Sequence, residues 1–434
     1  MCSTVGVTVQ KRRAERLRAA WASWRPDVAV AWRALWVSRL LVWAAGLGAI
    51  AIWGIHRTHE HAFDQAGLTR PFGGFGDTLV APAARWDAYW YLDIAHHGYQ
   101  ASPNRPAFFP LYPMSIKAIA WVTGEPLLVG LLLSFICFLV ALAAFHRLAV
   151  IELGPDGARW AVWALVLFPG SLWFSAVYSE SLFLMVSVGA VLCARRGRFA
   201  GAGVLGALGA ATRSAGLILM LPLALLWWDA YRAQPRAGGA AGVARPSPLS
   251  LGWVLLVPLG LVAYCAYLAA DGGSWHAPFA AQDVWHRAFK GPFAGINEGA
   301  TAAWDGLRQI IHGSPTPVYW DRAGGDAIAV GRHDVALFLC LVLGIVALVG
   351  AFRRLPLAHG AYALAALLLP LSYPVGPQPL MSLPRFEAVL YPLFLWLGWW
   401  LARRGVVWRV VVLGTFAVFL AACSALFSTW HWVA

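Results

Sequence analysis

An all-α, polytopic membrane protein with about eleven transmembrane helices is the fold class this sequence predicts. Three observations lead there. Of 434 residues, 60% are hydrophobic and 12% charged, whereas soluble domains are about half apolar and about a quarter charged. Apolar runs long enough to cross a bilayer recur along the whole chain. Those runs are continuous, whereas an outer-membrane barrel needs alternation, and an open sheet in lipid leaves backbone groups unpaired.

The elements follow in order. Residues 1–34 form a basic N-terminal segment containing KRRAERLRAA (11–20), expected on the cytoplasmic side. The first span, 35–55, is too long for the apolar core of a cleaved signal peptide, so an uncleaved first helix is expected. Residues 35–434 then form a single membrane domain, with further spans near 127–148, 160–177, 180–194, 199–212, 214–229, 249–270, 334–351, 357–373, 386–402 and 407–427. Segment 107–123 is ambiguous, since Pro110 and Pro113 open it and Lys117 sits within it.

Positive charge selects the topology. With the N-terminus inside and 107–123 not crossing, the inner connections carry 21 of the 33 Lys and Arg and 5 of the 20 acidic residues. If 107–123 crossed, RRGR (195–198) and Arg353–Arg354 would move outside, against the positive-inside rule. The net charge of +13 therefore reports topology, and no nucleic-acid partner is implied. Two large outer loops result, 56–126 and 271–333, and the second can cap the first. AQPRAGGAAGVARPSP (233–248) reads as a flexible inner linker. Five of the six cysteines lie in apolar runs without motif spacing, so neither disulfides nor a zinc site is expected.

Polar groups close to lipid are costly and are functional candidates by default. In this topology they collect on the outer side. RWDAYWYLD and FFPLYP lie in the first outer loop, YSES (178–181) and ATRSAG (211–216) at outer helix breaks, and SLPRFE (382–387) at the outer start of the tenth span. Projected as a helix, 86–97 places Trp86, Tyr89, Trp90 and Asp93 on one face, with Asp87 beside Trp90, Tyr91 and Ile94. Such a helix suits the membrane interface, where Trp and Tyr are favoured. There Asp87 can act as a general base on a sugar hydroxyl, or serve as a helix cap or ion-pair partner. Arg213 and Arg385 can hold a phosphate through their planar forks, or pair with Glu180 and Glu387. Glu180 can position an acceptor or bind an arginine. Tyr112 can touch a sugar, although FFPLYP reads first as a rigid turn. HRTHEH (56–61) brings three histidines close together but lacks a second ligand cluster, and reads as a solvated loop. His96 and His97 can shuttle protons or end the helix before Gly98. No P-loop or dinucleotide glycine fingerprint is present, so a sugar donor should reside in the membrane.

Together these motifs resemble the PIG-V-like mannosyltransferases, bacterial relatives of GPI mannosyltransferase II within the GT-C glycosyltransferase superfamily. The matching stretches are RWDAYWYLDIAHHGY (85–99), AFFPLYP (107–113), YSESLF (178–183), ATRSAGL (211–217) and LPRFEAVLYP (383–392). The resemblance runs from about residue 35 to 427. It implies a GT-C-type membrane fold and inverting transfer of mannose from polyprenyl-phosphate-mannose to an acceptor hydroxyl on the outer side. It places the catalytic aspartate at Asp87, with Asp93 in the same motif. Phosphate contact by Arg213 and Arg385 is an inference from charge, which the family pattern does not dictate. Candidate substrate contacts are Arg85, Trp90, Tyr91, Asp93, Tyr112, Glu180, Arg213 and Arg385. Phe386 stands where the family leads one to expect Tyr.

No cofactor is required, because phosphate is a good leaving group; a divalent metal is compatible. The Ala-, Arg- and Trp-rich composition resembles that of a high-GC bacterium. This implies a multi-pass protein of the cytoplasmic (plasma) membrane with a glycan, lipid or protein acceptor other than GPI. Alternative readings are a transferase for another polyprenyl-phosphate sugar such as arabinofuranose, or a lipid-linked sugar flippase. The sequence lacks the internal repeat common in transporters.

Overall fold

The computed structural model describes residues 2–55, 63–100, 102–233, 245–312, 327–376 and 378–433. Among them the chain is helical, and the one β-type pairing is an isolated antiparallel bridge between Arg287 and Val375. Six helices are long and apolar enough to cross a membrane: Trp21–Trp53, Pro126–Leu167, Ser214–Arg232, Pro248–Ala270, Ile328–Arg354 and Val406–Ser428. A seventh is reached if the bent pair Pro169–Ser175 and Glu180–Arg195 counts as one span. Phe199–Ala210 and Leu357–Ser372 are shorter apolar helices.

Helical structure falls within every expected span, but among the described residues six helices, or up to seven, reach the length and apolarity of a crossing rather than about eleven. The helix Cys2–Trp53 is continuous through the expected boundary at residue 34, since basic residues such as Arg16, Arg18 and Arg25 are good helix formers. The expected spans 127–148 and 160–177 fall on one 42-residue segment, Pro126–Leu167, which breaks at Gly154 with φ 80°. Unbroken, it would be about 63 Å long, twice a bilayer core. The expected third span also stops early. Pro169, following the extended Phe168, turns the chain into a 3-10 segment, Pro169–Ser175, and a bend of 101° leads into Glu180–Arg195. The expected tenth span divides into Leu383–Ala388 and Tyr391–Ala402, because Pro392 has no N–H to donate to the carbonyl four residues back, at Ala388. Leu111–Thr123, in the ambiguous segment, has 13 residues, about 20 Å long against a bilayer core of about 30 Å.

Two close approaches position the site. A Cβ on Gly170 would stand 2.1 Å from the Pro384 carbonyl oxygen, so only glycine lets Pro169–Ser175 lie against Leu383–Ala388. A Cβ on Gly216 would stand 2.1 Å from the backbone of Gly209, so the chain after Arg213 folds directly back on Phe199–Ala210.

Segments expected on the inner side also meet. Asp27 accepts from His146 at 2.7 Å and pairs with Arg147. Glu152 takes Arg195 at 2.6 Å and stands 3.2 Å from His359. Arg195 ends the helix that Glu180 begins, so this cluster lies about 22 Å along that helix from Glu180.

Candidate active site

Three hydrogen-bonded clamps gather the motifs expected on the outer side. Val177 N–H donates to Ala83 O at 2.9 Å. The Tyr178 hydroxyl receives the Asp87 N–H at 3.1 Å and donates to Arg85 O at 3.0 Å. Leu111 N–H donates to Ala211 O at 3.0 Å, joining FFPLYP to the turn that carries Arg213.

Asp87 immediately precedes the helix Ala88–His97, yet its side chain makes no capping bond. Instead Oδ2 accepts a 2.5 Å hydrogen bond from Arg385 Nη1, across 298 positions of sequence. Of the two bland readings open for Asp87, the ion pair is therefore the one realised. Arg385 Nε stands 3.1 Å from Glu180 Oε1, and the same oxygen accepts from Arg213 Nη1 at 2.6 Å. Asp87, Arg385, Glu180 and Arg213 thus form one alternating chain of charges. Glu180 is fully buried at its centre.

Burial weakens the hold of Arg385 on its proton, but Asp87 and Glu180 outweigh that and raise its pKa above the ordinary value. Tyr91 is pushed up to about 12 by burial and then by Glu180. Burial and then Asp87 push Tyr178 well above the usual range. Both phenols stay protonated and act as neutral hydrogen-bonding groups.

The network opens into a cavity of about 590 Å³. Asp87, Tyr91, Thr212, Arg213, Arg287, Arg385 and Phe386 line its polar end; Phe279, Ala366, Leu369, Pro370 and Val389 supply an apolar wall. The guanidinium carbons of Arg213, Arg287 and Arg385 lie 5.6, 5.5 and 5.6 Å from the Phe386 ring centroid, all within cation–π range. A ring without a hydroxyl at this position gathers three cations while adding no competing hydrogen bond.

The remaining candidates have other surroundings. Trp90 stacks on Phe108 and meets Trp285 edge-on, behind the cavity wall. Asp93 is buried and accepts from Arg105 at 2.7 Å and His97 at 2.8 Å. Arg105 also donates to Gly98 O at 2.9 Å, so these residues brace the loop after the helix. Tyr112 is fully buried, donating to Gly130 O at 2.9 Å and sharing a 2.7 Å bond with Ser134. Arg85 is buried with its guanidinium 4.6 Å from the Trp430 ring. Four candidates thus build the cavity or its charge network directly: Asp87, Tyr91, Arg213 and Arg385, with Glu180 binding both arginines from behind. Arg85, Trp90, Asp93 and Tyr112 lie outside its lining. The whole HRTHEH stretch (56–61) falls outside the described residues.

Arg287, Trp285 and Trp432 were not evident as site residues in the sequence, yet all three line the cavity. WHRAFK (285–290) has no apolar periodicity to place it, and it reaches the site through the bridge to Val375. Backbone strain marks the same place. The non-glycine residues at positive φ among the described residues are Trp86 (54°), His286 (55°), Ser382 (67°) and Trp430 (67°). Trp86 precedes Asp87, His286 precedes Arg287, Ser382 opens the helix carrying Arg385, and Trp430 packs on Trp86 at 5.5 Å. Such conformations cost of order 1–3 kcal/mol each and concentrate at functional sites.

Comparison with known proteins agrees with the resemblance read from the motifs. Residues 74–225 match the mannosyltransferase (PIG-V) family, a stretch that includes Asp87, Glu180 and Arg213 and ends before Arg287 and Arg385. Over 179 residues the chain is 36% identical to GPI alpha-1,6-mannosyltransferase 2 of Rattus norvegicus, covering 37% of this chain and 35% of that protein. It is 34% identical over 151 residues to the protein of that name from Cricetulus griseus, covering 32% and 30%. Against the Homo sapiens protein of that name it is 32% identical over 180 residues, covering 37% and 35%. The matched part thus spans about a third of these relatives' length, and over it the chain is PIG-V-like.

Proposed function

We propose that this chain is an inverting mannosyltransferase of the GT-C type with about eleven membrane crossings. In this reading it moves mannose from a polyprenyl-phosphate-mannose donor to an acceptor hydroxyl of a glycan, lipid or protein. The N-terminus lies inside a bacterial cytoplasmic membrane and the active site faces outside. Residues 1–34 form the cytoplasmic segment and 35–434 the membrane domain. One observation carries the reading: the cavity joins a carboxylate, Asp87, and three guanidiniums to an apolar wall. A sugar phosphate on a polyprenyl chain needs those surfaces together.

The donor enters between helices with its chain along the apolar wall. The guanidiniums around Phe386 receive the phosphate and stabilise the charge that grows on it. Asp87 lines the cavity; its Oδ2 is held by Arg385, while Oδ1 makes no hydrogen bond among the described residues. An acceptor hydroxyl at Oδ1 loses its proton to the carboxylate as its oxygen attacks the anomeric carbon. The bond between that carbon and the phosphate oxygen breaks on the opposite face, and the polyprenyl phosphate leaves with the electron pair. One displacement inverts the centre without a second, nucleophilic carboxylate. Tyr91, neutral and fixed by a 2.9 Å bond to Ser179, offers a sugar-facing ring.

The test is incubation of membranes containing the protein with radiolabelled polyprenyl-phosphomannose, followed by identification of the labelled product. Label should move to an acceptor with inverted anomeric configuration. Retained configuration, or transfer from a nucleotide sugar alone, overturns the proposal.

A further inference from the structure

The charges of the site do not balance evenly. Arg385 is matched by Asp87 at 2.5 Å and Arg213 by Glu180 at 2.6 Å. Arg287 makes no ion pair among the described residues; its guanidinium has only the Phe386 ring, at 5.5 Å. Asp283, also on the cavity wall, is exposed and does not pair with it. Burial, with repulsion from Arg385 and Arg213, lowers Arg287 to about 10 against the attraction of Asp87. It therefore stays charged at neutral pH.

A guanidinium held half-buried beside two others is unfavourable unless an anion joins it. The chain nevertheless fixes it there. His286 adopts φ 55°, Arg287 bridges to Val375, and Gly376 N–H reaches His286 O at 3.4 Å. The arrangement holds a cation ready and leaves its five donors to a ligand.

We propose that Arg287, from the second outer loop, is the principal anchor of the donor's phosphate, a positioning and charge-stabilising residue outside the PIG-V-matched stretch. This rests on the donor reading above. Arg213 and Arg385 are also engaged by Glu180 and Asp87, so they join the phosphate contact as secondary partners while they shape the site and hold the base. Arg287 supplies the charge left without an ion pair among the described residues, and that charge selects a phosphorylated lipid over a neutral one. It also explains why the second outer loop reaches into the cavity.

The test is equilibrium binding to the purified full chain in nanodiscs, followed by tryptophan fluorescence, since Trp285 and Trp432 line the cavity. The probes are farnesyl phosphate, farnesol and inorganic phosphate. Loss of a charge-assisted hydrogen bond predicts that Arg287→Gln weakens farnesyl phosphate binding roughly tenfold to a hundredfold and leaves farnesol binding unchanged. Arg287→Lys, which keeps the charge and loses the fork, should fall between. Equal binding of farnesyl phosphate by wild type and both variants overturns the Arg287 assignment and leaves the donor reading standing. No binding of farnesyl phosphate by wild type overturns both. Inorganic phosphate binding as tightly as farnesyl phosphate overturns the lipid part of the proposal.

Discussion

Glu180 offers the sharpest test of the charge network. It is fully buried, and its Oε1 serves both Arg213 at 2.6 Å and Arg385 at 3.1 Å. Removing one partner of a buried pair costs about 3–5 kcal/mol, because the other charge is left without compensation. Two features put Glu180→Gln below that range. Arg385 keeps Asp87, and the Arg213 side chain is 14% exposed, so cavity water replaces part of what is lost. The Gln amide oxygen can still accept one bond, worth about 1 kcal/mol. The expected loss is about 2–3 kcal/mol, with Arg213 the group chiefly orphaned. Arg213→Gln should cost less, because Glu180 retains Arg385. The double variant should therefore be less damaging than the sum of the two by about 1–2 kcal/mol. Reversible unfolding in mixed micelles of mild detergent and dodecyl sulfate measures all four proteins. Effects that add within about 0.5 kcal/mol would refute the coupling, and with it the view that Glu180 holds Arg213 in place.

Asp87→Asn should lower mannosyl transfer by about 10²–10⁴-fold, the range for a general base, while barely moving the unfolding transition, since Arg385 keeps Glu180; turnover within tenfold of wild type in the labelled-donor assay would exclude Asp87 as the base. Gly170→Ala should cost about 1–3 kcal/mol and displace Leu383–Ala388, because the new Cβ meets the Pro384 carbonyl oxygen at 2.1 Å; an unchanged unfolding midpoint with full activity would contradict that contact. Thr301→Cys, exposed and in the loop proposed to lie outside, should react with an impermeant maleimide on intact cells, whereas the exposed Gly405→Cys should react only after lysis. A background free of native cysteines makes this readable, and the reverse pattern overturns the topology.

The helices were legible because lipid imposes a local rule: an apolar run must close its own backbone hydrogen bonds. Helical structure falls within every expected span for that reason, although among the described residues six or seven helices are long enough to cross. Their true ends were less legible, because hydropathy does not register the turn at Pro169 or the left-handed Gly154. Asp87, Glu180, Arg213 and Arg385 stood out as polar groups at apolar helix ends, where a charge needs an explanation. Asp93 and Tyr112 stood out on the same grounds, yet they brace the protein, the first against Arg105 and the second against Gly130 and Ser134. The sequence offers no signal separating a carboxylate that faces a cavity from one that faces a guanidinium.

By itself, then, the sequence determined that this is a helical membrane protein, which helix ends carry charge, and that Asp87 heads the motif to watch. The tertiary structure alone decided the partners. The bend after Ser175 and the close packing of Gly170 on Pro384 bring Glu180 to Arg385. A single β-bridge brings Arg287 into a cavity that no run of neighbouring residues foreshadows. The physical reason is one of range. Helix formation is decided within a few residues, whereas an ion pair between positions 298 apart exists only after the whole bundle has closed around it.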